Sequence, residues 1–308
     1  MLKLSQLTLA AAIVAATPFS SATLAQGTKI NLGYATASDF LPAFVAKENG
    51  CFAKGGLDVT LTRVQIIGTI PPALLAGSLQ IGIGTPPVLI QAVDGGLELV
   101  AVAGAARMLK ANPTISLVVR QGLELKSPAD FKGKKIGVPG INSVADVMFR
   151  KWLKNTGVKI EDVTFIETPF PQMSDLLKSG TVDGVTAVEP IRSRIVSSGV
   201  GTLAPDEYYV SVHPDTLLSF YVTTAQWAKA NAAAVKSFRT CLTEAVASIK
   251  ANPDAAKEVE KKVLGFNAPK FPSFSVDVKP DDFKFFVELS KEFGLIRKDI
   301  DVKTIVAP

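Results

Sequence analysis

Apolar segments with the composition of β-strands alternate with amphipathic helical segments along most of this chain. KINLGYA (29–35), LDVTLTRV (57–64) and LELVAVAG (97–104) are predicted strands, and PAFVAKENG (42–50) is one of the helical patterns between them. Such alternation is typical of a parallel sheet that has helices on both faces. The sequence therefore predicts an α/β protein.

A second series of the same kind begins after ISLVVRQG (115–122). It contains predicted strands over 134–140 and 182–188, and a helix over 143–157. The segment Ser143-Val144-Ala145-Asp146 predicts a capping box at the start of that helix. The remaining residues, from about 225 to 308, are predicted to be mostly helical.

With 308 residues, of which 47% are apolar, the chain is long enough for two domains. We expect it to leave the first sheet along ISLVVR and to return along TLLSFYVTT (216–224). The second domain is then an insertion into the first. The predicted organisation is a signal peptide over 1–25, a discontinuous first domain over 28–121 and 212–308, and a second domain over 122–211.

One short pattern occurs twice, as LLAGSLQIGIGTPP (74–87) and as LLKSGTVDGVTAVEP (176–190). Each copy has the end of a helix, a glycine stop, a short apolar strand and a polar loop. Ligands of open α/β sheets bind outside the carboxyl ends of the strands. We therefore expect one half-site in each domain and a central cleft that closes by a hinge motion.

The N-terminus has the pattern of a secretory signal peptide. Lys3 precedes the apolar stretch LTLAAAIVAA, and Thr23-Leu24-Ala25 has the small residues of a cleavage site. The residue directly after Ala25 is Gln26 and not a cysteine, so a lipid anchor is not expected. The mature protein is predicted to be exported to the periplasm.

Composition argues against several classes of function. The net charge of +5 comes with no run of five basic residues and with few aromatic residues, so no nucleic-acid partner is expected. The only histidine, His213, precedes Pro214 in a predicted connector, so we expect no zinc site and no cofactor. Cys51 and Cys241 form either one disulfide or two buried thiols. We expect two buried thiols, since a domain of this size does not need a disulfide to be stable.

Three loops lead into predicted helices, whose N-termini carry free N–H groups and a positive dipole that favour anions. Simple helix capping is the alternative interpretation of each loop. Five other residues are candidates that could instead have structural roles, as core side chains, a helix cap or a surface ion pair. The candidate ligand-binding residues are Gly68, Thr69, Thr85, Asn142 and Ser143 in the loops, together with Ser38, Phe40, Arg107, Phe170 and Glu189.

Four motifs in order resemble the substrate-binding proteins of ABC importers for nitrate, taurine and aliphatic sulfonates. They are INLGYATASDFLPAFVAKENGCFAKGGLDV, LLAGSLQIGIGTPPVLI, SPADFKGKKIGVP and LLKSGTVDGVTAVEP, and the resemblance covers about residues 29–260. That family belongs to the wider group with the fold of thiamine-pyrimidine-synthesis proteins. Gln80 replaces a common aspartate, and Val188 replaces the tryptophan that often precedes Glu-Pro.

The resemblance implies two Rossmann-like α/β domains around a central cleft, as in periplasmic binding proteins of type II. It also implies a monomer that captures a small organic anion and delivers it to an ABC permease in the inner membrane. A sensory module that serves a membrane receptor would have the same sequence features. A pyrimidine-precursor enzyme on this fold is the other alternative, although the sequence has no catalytic motif.

Overall fold

The computed structural model describes residues 27–308, and the predicted signal peptide lies outside this range. Strands and helices alternate as predicted. The strands are β1 (Thr28–Tyr34), β2 (Leu57–Arg63), β3 (Gly82–Gly84), β4 (Leu99–Leu109), β5 (Ile115–Arg120), β6 (Lys135–Val138), β7 (Thr164–Glu167), β8 (Gly184–Val188), β9 (Gly201–Leu203), β10 (Asp215–Thr224) and β11 (Ser273–Phe274).

Helices cover the sheets, and the carboxyl-terminal part is mainly helical, as predicted. The helices are α1 (Leu41–Glu48), α2 (Cys51–Lys54), α3 (Ile70–Leu75), α4 (Pro86–Asp94), α5 (Val144–Asn155), α6 (Met173–Lys178), α7 (Ile191–Ser197), α8 (Tyr208–Val212), α9 (Ala225–Ala230), α10 (Ala232–Ala251), α11 (Pro253–Leu264) and α12 (Asp281–Glu292). Among the residues that the structure describes, no helix is both long and apolar enough to cross a membrane.

The repeated sequence pattern forms the same local structure twice. In the first copy α3 is followed by Gly77 with φ of 70°, and in the second copy α6 is followed by Gly180 with φ of 72°. Glycine adopts this left-handed conformation without steric cost, so it ends each helix and turns the chain into β3 or β8. The two loops after these strands then lead into the next helices, α4 and α7.

The strands form two mixed sheets. In the first, the order is β11-β4-β10-β3, and the parallel pair β1-β2 joins it through a bridge between Leu32 and Ile81. In the second, the order is β7-β6-β8-β5-β9. Parallel pairing joins β6 to β7 and β8, whereas β10 and β5 run antiparallel to their neighbours. The predicted parallel sheets are therefore completed by antiparallel strands.

We call the part with the first sheet (β1–β4, β10, β11, α1–α4 and α9–α12) the first lobe, and the part with β5–β9 and α5–α8 the second lobe. Strand β5 was expected in the first sheet, but it pairs with β8 and β9 in the second. The first crossing therefore lies between β4 and β5. The second crossing lies beside it, where the Lys110 N–H donates a hydrogen bond of 2.9 Å to the Pro214 carbonyl oxygen.

Cys51 and Cys241 form a disulfide, with 5.6 Å between their Cα atoms, so the expectation of two free thiols was wrong. The bond joins α2 to α10 within the first lobe. Phe52, which follows Cys51, stacks on Phe238 of α10 with 5.4 Å between the ring centroids. This packing brings the two cysteines, 190 residues apart in sequence, within the range of Cα separations that a disulfide requires.

Candidate functional site

A narrow cavity lies between the two lobes. A wider hollow covers the disulfide, but only the first lobe forms it and it opens to solvent. The cavity between the lobes is lined by Ala35, Ala37, Asp39, Phe40, Ile67, Ile83, Gly84, Thr85, Leu218 and Ser219 of the first lobe, and by Ile115, Pro139, Ser143, Val144, Ala145, Phe170 and Val188 of the second.

Two helices begin at this cavity, one from each lobe. Thr85 is the N-cap residue of α4 and Ser143 is the N-cap residue of α5, and both side chains are buried, with exposures of 6% and 1%. Neither hydroxyl caps its helix or has any other hydrogen-bond partner. Simple capping therefore does not explain these two residues. Their hydroxyl groups and the first N–H groups of α5 are placed to bind acceptor atoms, whereas α4 begins with Pro86 and Pro87, which have no N–H group.

The predicted capping box at Ser143 does not form. The Asp146 carboxylate instead accepts a hydrogen bond of 2.7 Å from the Asn142 N–H and one of 2.7 Å from the Arg150 side chain. Asn142, with φ of 61°, precedes the N-cap residue, and its N–H takes the place that the Ser143 N–H would have in a capping box, while the Ser143 N–H donates to the Gly140 carbonyl oxygen. The consequence is that the Ser143 hydroxyl stays available at the cavity.

Asp39 is the one ionisable side chain among the residues that line the cavity. It follows the carboxyl end of β1, is 4% exposed, and accepts a hydrogen bond of 2.7 Å at Oδ2 from the Ser219 hydroxyl of β10. Its other oxygen, Oδ1, has no partner. Burial raises the pKa of the Asp39 carboxyl to about 6, although hydrogen bonds from Ser219 and from the Asp39 backbone act in the opposite direction.

Four of the ten candidate residues line the cavity: Phe40, Thr85, Ser143 and Phe170. The two phenylalanines come from opposite lobes and form part of the apolar lining. Glu189 and Ser38 lie behind the wall and join the lobes, since the Ser38 N–H donates a hydrogen bond of 2.8 Å to the Glu189 carbonyl oxygen. The Glu189 carboxylate accepts hydrogen bonds from Arg192 and Ser193 of α7, so it does not point to a ligand amine.

The other candidates lie outside the cavity. Arg107 forms ion pairs of 3.1 Å with Asp215 and 2.7 Å with Asp282, which is the alternative that its sequence left open. Gly68 and Thr69 are exposed, and the Thr69 hydroxyl donates to the Ile66 carbonyl oxygen within its own turn. The side chain of Asn142 donates to Gln91 of α4 and so connects the lobes.

Sequence reasoning missed the most distinctive polar pair of the cavity, Asp39 and Ser219. Asp39 stands between two residues that were selected, Ser38 and Phe40, and its charge at the end of a predicted strand was the signal that could have identified it. Ser219 lies inside a strand whose sequence is otherwise apolar and β-branched. Only the antiparallel placement of β10 beside β3 brings its hydroxyl to the cavity.

The potential metal ligands of this chain were compared with the lining of the cavity. Within residues 27–308, no group of three or more His, Cys, Asp or Glu side chains could hold a metal ion. His213 lies between α8 and β10, with its ring 4.6 Å from the ring of Phe285, and it does not line the cavity. The polar chemistry of the site therefore comes from hydroxyl groups, backbone N–H groups and one carboxyl.

Two α/β lobes joined by two crossings, with a cavity between them that both lobes line, define a bilobal binding-protein fold. The chain matches the NMT1/THI5-like family over residues 37–256, which is more than half of its length, and it belongs to that family.

Known proteins similar to this chain agree with that assignment. A Haemophilus influenzae relative named for thiamine biosynthesis is 27% identical, over 74% of this chain and 70% of its own length. The nitrate/nitrite binding protein NrtA of a Nostoc species is 25% identical over 71% of this chain, and the alignment spans 53% of NrtA. The alkanesulfonate-binding protein SsuA of Xanthomonas axonopodis, solved with bound MOPS, has a TM-score of 0.79 and 18% identity, and the match covers 92% of this chain and 99% of SsuA.

Proposed function

We propose that this chain is an exported solute-binding protein that captures a small molecule between its lobes and delivers it to an ABC importer. One observation carries the proposal. Three polar atoms that line the cavity, Thr85 Oγ1, Ser143 Oγ and Asp39 Oδ1, are buried without a hydrogen-bond partner. Buried polar groups nearly always have partners, and an unpaired one costs about 1–3 kcal/mol. A bound solute would supply the partners that the protein does not.

An organic acid, such as a sulfonate or a carboxylate, is the ligand class that the helix starts support. The N-termini of α4 and α5 both lie at the cavity, and the dipoles of both helices and the first N–H groups of α5 favour the oxygens of an acid without needing a cation. NrtA and SsuA carry names that assign them to nitrate and to alkanesulfonates, which supports the same kind of ligand here.

The periplasm is the compartment we propose for the mature protein, which acts there as a monomer. The predicted signal peptide and the disulfide between Cys51 and Cys241 support an exported, oxidising location. An ABC permease of the inner membrane is the proposed partner. Neighbouring genes for a permease and an ATPase would distinguish this role from that of a sensory module, whose partner is a receptor.

We propose that the chain is not an enzyme. The alternative is an enzyme on this fold. The name of the Haemophilus relative supports this alternative, since it refers to thiamine biosynthesis. Against it, the described residues place the only histidine away from the cavity, and Asp39 and Ser219 form the one polar side-chain pair inside it. An enzyme would release a chemically altered molecule, whereas a binding protein releases its solute unchanged.

Native mass spectrometry of protein purified without denaturation tests the function. A retained small molecule, released unchanged and able to rebind, is expected. In a thermal-shift series, that molecule at 100 times its dissociation constant should add about 2.7 kcal/mol of stability. Protein that carries no solute, and that no small acid stabilises, would contradict the proposal.

A further inference from the structure

We infer that Asp39 is the specificity-determining anchor of this cavity. The cavity selects a small acid that also presents a hydrogen-bond donor, an N–H or an O–H group, to Asp39 Oδ1, and it discriminates against acids that have acceptor atoms alone. This inference rests on the proposed function and names the ligand class of the same site. Nitrate and simple alkanesulfonates, which have no such donor, are therefore poor ligands for this chain.

The first observation is the hydrogen bonding of the Asp39 carboxyl. Ser219 donates to Oδ2 at 2.7 Å, so the hydroxyl holds one oxygen of a carboxyl that lines the cavity and leaves the other, Oδ1, without a partner among the described residues. A carboxylate oxygen only accepts hydrogen bonds. The atom that completes this site must therefore bring a proton with it.

The second observation concerns the charges around Asp39. The groups that act on it from neighbouring elements are Tyr209 of α8, Tyr221 of β10 and Glu260 of α11, none of which is a cation. Glu189 lies near Glu260, but Arg192 pairs with it directly. A ligand that brings only lone pairs or negative charge to this end of the cavity would meet an uncompensated carboxylate.

The third observation is the set of hydrogen-bond donors in the same cavity. Thr85 and Ser143 offer free hydroxyls beside the starts of α4 and α5. Thr85 directly follows Gly84, which pairs with Phe220 beside Ser219. The cavity thus combines an acceptor, the Asp39 carboxylate, with donors that come from both lobes. A molecule that has both a donor group and an acid group satisfies both kinds of partner, and an acid alone satisfies only the donors.

The rest of the cavity lining is largely apolar. It includes Ile67, Ile83 and Leu218 of the first lobe, and Ile115 and Phe170 of the second. The body of the ligand is therefore hydrocarbon or aromatic. Apolar walls also raise the cost of a misplaced polar atom, which sharpens the selection that Asp39 imposes.

Matched probes test the anchor. Isothermal titration at pH 7.5 would compare taurine with ethanesulfonate, 4-aminobenzoate with benzoate, and nitrate alone, on the wild type and on Asp39→Asn. A hydrogen bond to a charged group is worth about 1.5–3 kcal/mol, so we expect the amino member of a bound pair to bind about 10- to 100-fold more tightly. Asp39→Asn should reduce that preference to about threefold or less. Glu260→Gln, which changes a buried carboxyl outside the cavity lining, should preserve it.

Native mass spectrometry of the three purified proteins gives a readout that does not depend on the choice of probe. The wild type and Glu260→Gln are expected to retain a molecule that has an N–H or O–H donor besides its acid group, and Asp39→Asn is expected to lose it. If ethanesulfonate, benzoate or nitrate binds as tightly as an amino probe, or if the retained molecule has no such donor, Asp39 is not the anchor although the chain still binds solutes. If no probe binds and no molecule is retained, the proposed function and the anchor are both wrong.

Discussion

The Ser219 hydroxyl donates a hydrogen bond of 2.7 Å to Oδ2 of Asp39, and it is the one side-chain group that contacts this buried carboxyl as a donor. Ser219 belongs to β10 and Asp39 follows β1, so the pair joins two strands that are 180 residues apart in the chain. Because the first lobe holds the carboxyl in place before any ligand arrives, the site is organised in advance. Such organisation has an energetic cost, which can be measured.

Asp39→Asn is expected to stabilise the ligand-free protein at pH 7.5. Burial raises the pKa of Asp39 from 3.8 to about 6, so the folded state binds a proton more tightly than the unfolded state. This contribution to stability is fully present below about pH 4 and is lost as the pH rises through 6, at a cost of about 3 kcal/mol. Urea denaturation should therefore show a gain of about 1–3 kcal/mol for the variant at pH 7.5.

The pH dependence of that gain is its control. Between pH 4 and pH 6 the difference in unfolding free energy between the wild type and Asp39→Asn should grow, and above pH 7 it should be constant. A difference that is the same at pH 4 and at pH 7.5 would mean that the charge of Asp39 is not its source.

Thr85→Val and Ser143→Ala should weaken ligand binding with little loss of stability. An N-cap substitution normally costs about 0.5–2 kcal/mol because it removes a cap hydrogen bond, but neither hydroxyl makes one here. We expect losses of less than about 0.5 kcal/mol in unfolding free energy, together with roughly five- to tenfold weaker binding of the retained solute. Calorimetric titration and thermal unfolding measure the two effects separately.

Asp130→Ala is the matched control for this pair of variants. Its carboxylate accepts hydrogen bonds of 2.8 Å from the N–H groups of Lys126 and Ser127 at the start of another helical turn, away from the cavity. The variant should lose about 1 kcal/mol of stability and keep its affinity. Equal losses of stability in all three variants would show that Thr85 and Ser143 are ordinary caps.

Glu292→Gln should favour opening of the cleft. Glu292 of α12 in the first lobe lies 2.7 Å from Lys151 and 3.0 Å from Lys154 of α5 in the second, so these ion pairs form only when the lobes meet. Pairs of this exposure are worth about 0.2–1 kcal/mol each, which predicts a two- to fivefold faster release of solute. Stopped-flow dissociation at low and high salt would measure it, since salt screens such pairs.

Glu288→Gln provides the comparison for the cleft variant. Glu288 lies on the same helix, but its partner Lys291 is also on α12, at 3.8 Å. Its removal cannot affect contact between the lobes, so solute release should match that of the wild type. A similar acceleration in both variants would indicate an effect of net charge and not of the contact between the lobes.

Reduction of the disulfide should lower stability without lowering affinity. Cys51 and Cys241 enclose 190 residues, and a bond that closes so long a loop restricts the unfolded chain by about 3–5 kcal/mol. Urea denaturation with and without a reducing agent measures the loss. A Cys51→Ser and Cys241→Ser double variant should match the reduced protein and should not respond to the agent.

Much of the fold was predictable from the sequence because local patterns specify it. Prolines at the start of α3 and α4 and the glycines after α3 and α6 fixed helix limits to within a few residues. The sheet that β5 joins was not predictable, since its apolar residues suit the interior of either lobe. The sheet that β5 joins depends on which distant strands pair with it, and the local sequence of β5 does not specify those partners.

The candidate site was predictable only in part for a similar reason. Thr85 and Ser143 were found because they precede helices, and the position of a helix start is local information. The role of Asp39 depends on β10, which brings Ser219 beside it from 180 residues away. Arg107 had the chemistry of an anion ligand, but Asp215 and Asp282, both distant in sequence, already satisfy its guanidinium group.

The strand order of the first sheet has a consequence for biogenesis. β10 lies between β3 and β4, so that sheet stays incomplete until residues 215–224 are available to it, whereas all strands of the second sheet lie between residues 115 and 203. The second lobe is therefore expected to mature first, although its sequence begins later, and β3 and β4 must wait for β10 without a partner between them. During that interval the open edges of β3 and β4 are the part of the first sheet most exposed to aggregation.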